Sequence, residues 1–251
     1  MIRLLRPIAV SALVGAFAAA QALPKAETIL DRYVEVTGGK AAYEKHTRET
    51  MIGTFSLPEQ GLTGKLTRYA MAPDKEYSVV ELGPLGKIES GMSNGVAWEK
   101  SAILGPRVKS GDEKDQAARE ARFNSQVEWR KIFPKAETTG SEPVNGEECY
   151  KVVVTPPTGK PETRFYSKKS GLLLKSNATA VSQMGEVAVE VEVSDYKNFD
   201  GILYPTRSKQ KAGTQQMEIA ITSLSLDQPI PSEVFELPAE VKTLVDKLSG
   251  K

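Results

Sequence analysis

The stretch "EVAVEVEVSD", Glu186 to Asp195, carries a valine at every second position. A period of two residues predicts a β-strand whose two faces meet different surroundings. The valines form one face, while the glutamates and the serine form the other. The valine face is therefore expected to be shielded from water, either in a packed core or along the wall of a cavity that holds an apolar ligand. The residues alone leave both interpretations open.

The same period recurs along most of the chain, with glycine-containing turns such as "SNG", "VNGE" and "NFDG" between the runs. Such turns are typical of antiparallel strands joined by short connections. A run of about a dozen strands predicts a mainly β (α+β) fold, with a single large antiparallel curled sheet or an unclosed β-barrel and covering helices. The predicted strands are a meander from residue 47 to residue 108, followed by 135–139, 149–155, 162–166, 172–178, 186–196, 202–210 and 217–226.

Four segments carry apolar residues at helical rather than strand spacing. Ser110 and Glu113 have the spacing of a capping box, and Pro134 follows the end of that segment. The last segment carries a stripe formed by Val241, Leu244, Val245 and Leu248. The predicted helices are Lys25–Val36, a shorter piece at residues 41–45, Asp112–Phe133, and a C-terminal helix that includes this stripe.

The N-terminus has the layout of a cleaved secretory signal. Arg3 and Arg6 precede an apolar run from residue 8 to residue 20, and the small-x-small site Ala20-Gln21-Ala22 follows. The run is too short for a comfortable membrane span. We therefore predict a signal peptide at residues 1–22 with cleavage after Ala22, one domain at residues 23–251, no transmembrane span in the mature chain, and a periplasmic or secreted location.

The charge balance argues against a nucleic-acid partner. The chain has 33 lysines and arginines and 32 aspartates and glutamates, and removal of the signal leaves 31 basic residues. A mixed, nearly neutral chain lacks the basic patch that nucleic acid requires. The sequence also lacks a polybasic cluster of the kind that predicts binding to a strongly anionic membrane.

Residues that carry catalytic chemistry are scarce. Cys149 is the one cysteine, so no internal disulfide can form, and its strand-like surroundings predict a small buried hydrophobe. His46 is the one histidine, which argues against a zinc site and a serine triad, and its place at a helix-to-strand junction predicts a surface residue. Asp195 is expected to cap or register a hairpin rather than to act as a catalytic carboxylate. No catalytic residue, metal ligand or cofactor is predicted, and an enzyme is disfavoured.

Several short motifs resemble the LolA-like proteins, the periplasmic lipoprotein carriers and the wider group of outer-membrane lipoprotein-sorting proteins. Pro73, Gly95 and Trp98 occupy the places of a proline segment, a glycine turn and a strand tryptophan in that family. The segment "DYKNFDGILYP" and the ending "VFELP" are also similar to it. An arginine that the carriers often place soon after the proline segment is missing, since Glu76 and Tyr77 stand there.

The resemblance implies an unclosed β-barrel with helices over its opening and an apolar concave face. It implies a non-catalytic carrier or sorting protein whose partner is a lipid or a lipidated protein. Strand alternation then gives a set of candidate wall residues, each of which could instead belong to the core. They are Phe55, Tyr69, Val79, Met92, Trp98, Val187, Val189, Val191 and Val193.

Two other classes of function remain open at this point. One is a non-catalytic interaction or scaffold domain that binds a protein partner of the cell envelope through an open sheet edge. The other is a secreted hydrolase whose site the motifs do not reveal. A dry, filled interior with a long uncovered edge strand would favour the scaffold, and clustered acids with perturbed pKa values in a cleft would favour the hydrolase.

Overall fold

The computed structural model describes residues 22–182 and 185–250, so the predicted signal peptide lies outside the described residues except for Ala22. The described chain forms five α-helices and thirteen β-strands. The helices α1 to α5 are Ala26–Val36, Gly39–Lys45, Gly111–Glu120, Trp129–Ile132 and Ala239–Leu248. The strands β1 to β13 are Arg48–Leu57, Leu62–Met71, Lys75–Glu81, Lys87–Ser93, Val96–Ser101, Gly105–Val108, Lys135–Val144, Glu147–Thr155, Glu162–Ser167, Leu173–Ser182, Gly185–Phe199, Ile202–Ala212 and Gln215–Leu226.

All thirteen strands form one antiparallel sheet in the order β6-β5-β4-β3-β2-β1-β13-β12-β11-β10-β9-β8-β7. Apart from the pairing of β1 with β13, every neighbouring pair is also consecutive in the chain. Among the described strands β6 and β7 are the two ends of the sheet and do not pair with each other. The prediction of a single, unclosed antiparallel sheet with helices is therefore confirmed.

The tight turns predicted from the sequence take the conformation that their residues favour. At Asn94-Gly95, Asn145-Gly146 and Asp200-Gly201, both residues have positive φ angles, between 47° and 93°. Two consecutive positive φ angles are the mark of the type I′ hairpin turn, which matches the right-handed twist of the flanking strands. These turns fix the register of their hairpins and hence which side chains share a face.

One face of the sheet carries most of the helices, and we call it the inner face. Met92 and Ala97 of this face pack against Ala121, which directly follows α3. On the same inner face, but near the β7 end of the strand order, helices α1 and α4 cover β8 and β9. The cluster there comprises Ala26, Ile29, Leu30, Trp129, Ile132, Phe133, Val152, Val154 and Tyr166.

The inner face is concave. Ser78 of β3 and Val193 of β11 line the same groove, although their strands are five places apart in the sheet. With about 4.8 Å between neighbouring strands, they would be roughly 24 Å apart in a flat sheet. The sheet must therefore curl so that β3 and β11 face one another, as the unclosed-barrel prediction requires.

The predicted helix Asp112–Phe133 is wrong in its middle. The structure has α3 up to Glu120 and the single turn α4 from Trp129, with turns between them. Asn124 has a left-handed φ of 54°, and its Nδ2 donates a hydrogen bond to the carbonyl oxygen of Tyr43 at 2.7 Å. This long-range bond favours a break that helical periodicity does not reveal. We call residues 121–128 the covering segment.

The predicted capping box at the start of α3 is also absent. The Ser110 side chain makes no capping hydrogen bond, and Gly111 takes a left-handed φ of 54°. Glu113 instead accepts a hydrogen bond from Arg107 Nη1 at 2.7 Å. The Glu113 carboxylate is therefore paired with the Arg107 guanidinium rather than with the backbone N–H of Ser110.

The C-terminal helix α5 is confirmed, but it lies on the outer face of the sheet. Lys100 Nζ of β5 and Glu240 Oε1 of α5 are 2.9 Å apart, and Lys100 points to the face opposite Ala97. Of the predicted stripe, Val241 is fully buried, whereas Leu248 is 76% exposed. Only the first turn of α5 is therefore tightly packed.

Candidate functional site

The middle of the inner face contains an apolar groove between the two helix-covered regions. We call it the central groove, and its volume is about 320 Å³. Strands β1, β2, β11 and β13 contribute its aliphatic side chains. They are Met51, Leu66, Val193, Ile219 and Ile221.

A glycine at the floor of this groove has a clear steric reason. Gly53 pairs with Leu66 on one side and with Ile221 on the other, where the β1–β13 register shifts. A Cβ atom at Gly53 would lie 2.5 Å from the carbonyl oxygen of Ala220, closer than packed atoms allow. Because no side chain fits here, the floor between Leu66 and Ile221 stays low.

The valine face of β11 lies on the inner face, in register with the groove. Val193 pairs with Ser208, which pairs with Ile219, which pairs with Phe55. The four valines are not buried: Val187 is 38% exposed, and Val189, Val191 and Val193 are partly exposed. Val193 lines the central groove, and Val189 lines a shallow depression beside Ala178. No side chain among residues 22–182 and 185–250 fully covers this apolar face.

Two further candidate wall residues share the inner face but have other surroundings. Met92 is 6% exposed and packs with Ala97 and Ala121, so it belongs to the core beneath the covering segment. Phe55 is partly exposed next to Ile219, at the margin of the central groove.

The remaining candidates, Tyr69, Val79 and Trp98, lie on the outer face. Tyr69 stacks on Tyr77 with ring centroids 6.3 Å apart, and Tyr77 stacks on Trp98 at 6.1 Å. A Cβ atom at Gly91 would lie 2.7 Å from Nε1 of Trp98, so the indole lies directly over that glycine. Trp98 is 2% exposed on the face that α5 covers. These residues stabilise the outer face and are remote from the groove.

A charged cluster, which the sequence analysis missed, lies at one end of the central groove. Arg68 donates hydrogen bonds to Glu49 Oε1 at 2.7 Å and to Glu76 Oε2 at 2.9 Å. Glu49 is 8% exposed, and burial raises the pKa of its carboxyl despite the nearby guanidinium. The sequence contains one indication of this cluster: Arg68 is two positions from both Leu66 and Ala70, so strand alternation places it on the same face as these apolar residues.

Arg68 also lines a second, more polar cavity of about 160 Å³ between α2, the covering segment and the ends of β1, β12 and β13. His46 lies at its wall and is 3% exposed, so its prediction as a surface residue is wrong. Its Nδ1 is 2.7 Å from Asp227 Oδ2, and its Nε2 is 3.3 Å from the carbonyl oxygen of Asp200. His46 therefore ties α2 to two distant turns.

Other chemistry is sparse in residues 22–182 and 185–250. They contain no group of three or more histidines, cysteines, aspartates or glutamates that could hold a metal ion. Cys149 is fully buried, as predicted, and burial raises the pKa of its thiol. Asp195 forms an ion pair with Arg207 at 2.8 Å, and its carbonyl accepts a hydrogen bond from Thr206 of the paired strand. No helix in this part of the chain is long and apolar enough to span a membrane.

Comparison of the whole structure with solved structures identifies the architecture. A LolA superfamily protein from Nitrosomonas europaea superimposes with a TM-score of 0.58 over 86% of this chain and 99% of its own, at 12% sequence identity. The chain has a LolA-like fold. A DUF1329 family protein from Desulfovibrio piger matches with the same TM-score at 16% identity, over 84% of this chain and 97% of its own.

A domain of an outer membrane lipoprotein-sorting protein from Vibrio parahaemolyticus also shares the LolA-like fold. It matches with a TM-score of 0.58 and 14% identity, over 84% of this chain and 97% of its own. No family model matches the sequence, and no curated protein sequence is similar to it. At these identities the likeness establishes the fold, while function has to be argued from the groove.

Proposed function

We propose that this chain is an exported carrier that binds an apolar chain, from a lipid or from a lipidated protein, in the central groove. One observation carries the proposal: the apolar floor of a concave, helix-flanked face remains partly open to water. Val193, Ile219 and Ile221 contribute to this floor, and each stays partly exposed among the described residues. The lipoprotein-sorting neighbour with the same fold supports a lipid or lipoprotein ligand.

The energetics permit an acyl chain as the occupant of the groove. Covering apolar surface is worth about 25 cal/mol per Å², whether the covering group belongs to the protein or to a ligand. A groove of about 320 Å³ lies at the small end of the range for ligand sites. It therefore suits one apolar chain, and a cargo with several chains would require the covering segment or α1 to move.

The charged cluster gives the groove a polar end. An amphiphile could place its chain along Ile219 and Ile221 and its head group near Arg68, which lines the same groove. Arg68 is already paired with Glu49 and Glu76, so the cluster carries more negative than positive charge. We infer that the bound head group is neutral or basic, because an anionic group would meet two carboxylates around one guanidinium.

The proposal can be tested by native mass spectrometry, with solvent extraction, of the predicted mature chain purified from an exported preparation. Ile219→Glu places a carboxylate in the groove, whereas Ala220→Glu places one on the opposite face, across from Arg207. We expect a stoichiometric lipid in the unaltered chain and in Ala220→Glu, and its loss from Ile219→Glu. Folded protein without lipid in all three, under conditions where a known carrier retains its own, would contradict the proposal.

A scaffold function has one specific observation in its favour. Strand β7 is an end of the described sheet and pairs only with β8, so one of its edges is free. Its residues are mostly polar or charged, and it contains Pro143, features that proteins use to discourage strand addition. The carrier is therefore the better-supported proposal. A folded chain without lipid that captures a partner, with capture lost when β7 is altered, would favour the scaffold.

A further inference from the structure

Two neighbouring hairpin tips expose large aliphatic side chains to water. Ile103 is 83% exposed, Leu104 59%, Leu85 48% and Ile88 45%. We call these four residues the tip patch. Leu85 and Ile88 belong to the β3–β4 hairpin, and Ile103 and Leu104 to the β5–β6 hairpin. Such a concentration of exposed aliphatic residues marks an interaction surface rather than ordinary surface variation.

The two tips lie against each other. Ile88 pairs with Ser101 across β4 and β5. A Cβ atom at Gly86 would lie 3.2 Å from the Cβ of Ala102, so the two loops are already in near contact. The four aliphatic side chains therefore belong to one surface at the end of the sheet.

The charge pattern around the tip patch changes sharply along each hairpin. Residues 82–86 and 101–106 contain no charged side chain, Lys87 and Lys100 border these two stretches, and Ile88 directly follows Lys87. Lys87 pairs with Glu81 at 2.7 Å, and Lys100 pairs with Glu240 at 2.9 Å. An uncharged apolar tip backed by amphipathic lysines suits a membrane interface, where aliphatic groups enter and charges stay at the head groups.

The tip patch lies at the same end of the sheet as the exposed end of the valine face. In an antiparallel meander, alternate connections share one end, so the β1–β2, β3–β4 and β5–β6 connections lie together. Ser56 near the end of β1 pairs with Glu218 near the start of β13, and Ala212 at the end of β12 pairs with Val189 near the start of β11. Val187 therefore also lies at this end.

We propose that the tip patch inserts into the surface of a lipid bilayer and brings this end of the concave face to the membrane. A protein partner fits the observations less well, since four aliphatic side chains on two narrow loops fall short of the roughly 800 Å² that a standard interface buries on each side. A bilayer needs no complementary surface, and each inserted aliphatic side chain contributes separately. The proposal concerns the tips and does not require a lipid in the central groove.

The test is co-sedimentation of the chain with phosphatidylcholine vesicles and with equimolar phosphatidylcholine–phosphatidylglycerol vesicles. We expect Ile103→Asp/Leu104→Asp to weaken partitioning by at least about tenfold, because it removes two inserted side chains and adds charge. Leu248→Asp is the matched control, since Leu248 is 76% exposed on α5 and lies outside the tips. Partitioning of this control should change by less than about twofold. Both vesicle types should bind similarly, because the flanking lysines are paired with glutamates.

Three results would overturn the proposal. The first is failure of the unaltered chain to sediment with either vesicle type, and the second is binding of the double variant as strong as that of the control. A change of oligomeric state in the double variant, measured by light scattering without any vesicle binding, would assign the tip patch to a protein interface instead. Circular dichroism of each variant checks the fold. Groove lipid retained in the double variant would show that insertion of the tip patch is separate from the carrier function.

Discussion

Two strands, β8 and β11, present valines to the same inner face, but these valines differ in burial. In β8, Val152 and Val154 are fully buried beneath α1 and α4. In β11, Val193 lines the central groove, Val191 lies beside it on the same face, and both remain partly exposed. Val153 also places a valine on the outer face of β8, whereas β11 has glutamates on its outer face, but both strands present valines to the inner face. The difference in the burial of these inner-face valines comes from whether a helix supplies apolar side chains to cover them. A strand pattern therefore specifies an apolar face, while distant elements decide whether that face is buried as core or stays partly open.

The largest expected effect on stability concerns the part of the inner face that α1 and α4 cover. Trp129 is 6% exposed in the cluster beneath α4, and its Nε1 donates a hydrogen bond to Asp31 Oδ1 at 3.2 Å. Trp129→Ala should lower the free energy of unfolding by about 3–5 kcal/mol, through lost burial and the cavity left behind. Val191→Ala on the open region should cost less than about 1 kcal/mol. Urea unfolding measures both, and equal losses would show that the two regions are packed alike.

The next prediction concerns the charged cluster beside the groove. Arg68→Met leaves the Glu49 carboxylate without its cationic partner, and we expect a loss of about 2–3 kcal/mol at pH 7, less than for a fully buried pair because water reaches Arg68. Addition of Glu49→Gln to this variant should restore part of the stability. Urea unfolding of the single and double variants measures this, and no recovery in the double variant would mean that Arg68 acts mainly through packing.

The sign of the pH dependence follows from the raised pKa of Glu49. A carboxyl whose pKa is higher in the folded state than in the unfolded state favours folding below the unfolded pKa, and this contribution is lost as the pH rises through the folded pKa. Without Arg68 the pKa of Glu49 should rise further. The loss of unfolding free energy caused by Arg68→Met should therefore be smaller at pH 5 than at pH 8. A loss that does not depend on pH would contradict this prediction.

A smaller effect tests the covering segment. Hydrogen bonds from Arg122 and Lys131 lower the pKa of Glu128 to about 2. A carboxyl with a lowered pKa stabilises the fold at neutral pH, and this contribution is lost as the pH falls from about 5 towards 2. Glu128→Gln should cost about 0.5–1 kcal/mol at pH 7, with the difference from the unaltered chain shrinking in acid. Thermal unfolding across this pH range provides the measurement, and a constant difference would rule out the ion pairs as its source.

The sequence predicts those features that depend on near neighbours. Strand alternation, the Asn-Gly and Asp-Gly turns and the stripe of α1 depend on residues a few positions apart, and the structure confirms them. Short motifs around Pro73 and Trp98 were sufficient to suggest the LolA-like fold, because hairpin geometry restricts which residues can occupy tight turns. The antiparallel sheet follows from short connections between consecutive strands.

Features that depend on distant partners could not be predicted. His46 is buried because Asp227, 181 positions away, accepts its hydrogen bond. The predicted helix breaks near Asn124 because that side chain bonds to Tyr43. Alternation shows that each strand has two faces, but it does not show which face is concave. Trp98 and Tyr69 were therefore predicted to line the groove, although they lie on the outer face. The Arg68 cluster requires three strands to be aligned before its charges become partners.

The most direct test of the central claim is photo-crosslinking of the full chain with a fatty acid that carries a diazirine on its tail, followed by mapping of the modified residues by mass spectrometry. We expect modification of Val193, Ile219, Ile221 and neighbouring groove residues, with competition by unlabelled lipid. Val152 and the outer-face residue Trp98 should remain unmodified. Crosslinks restricted to the outer face or the hairpin tips, with the groove unmodified, would show that the open valine face does not hold the ligand.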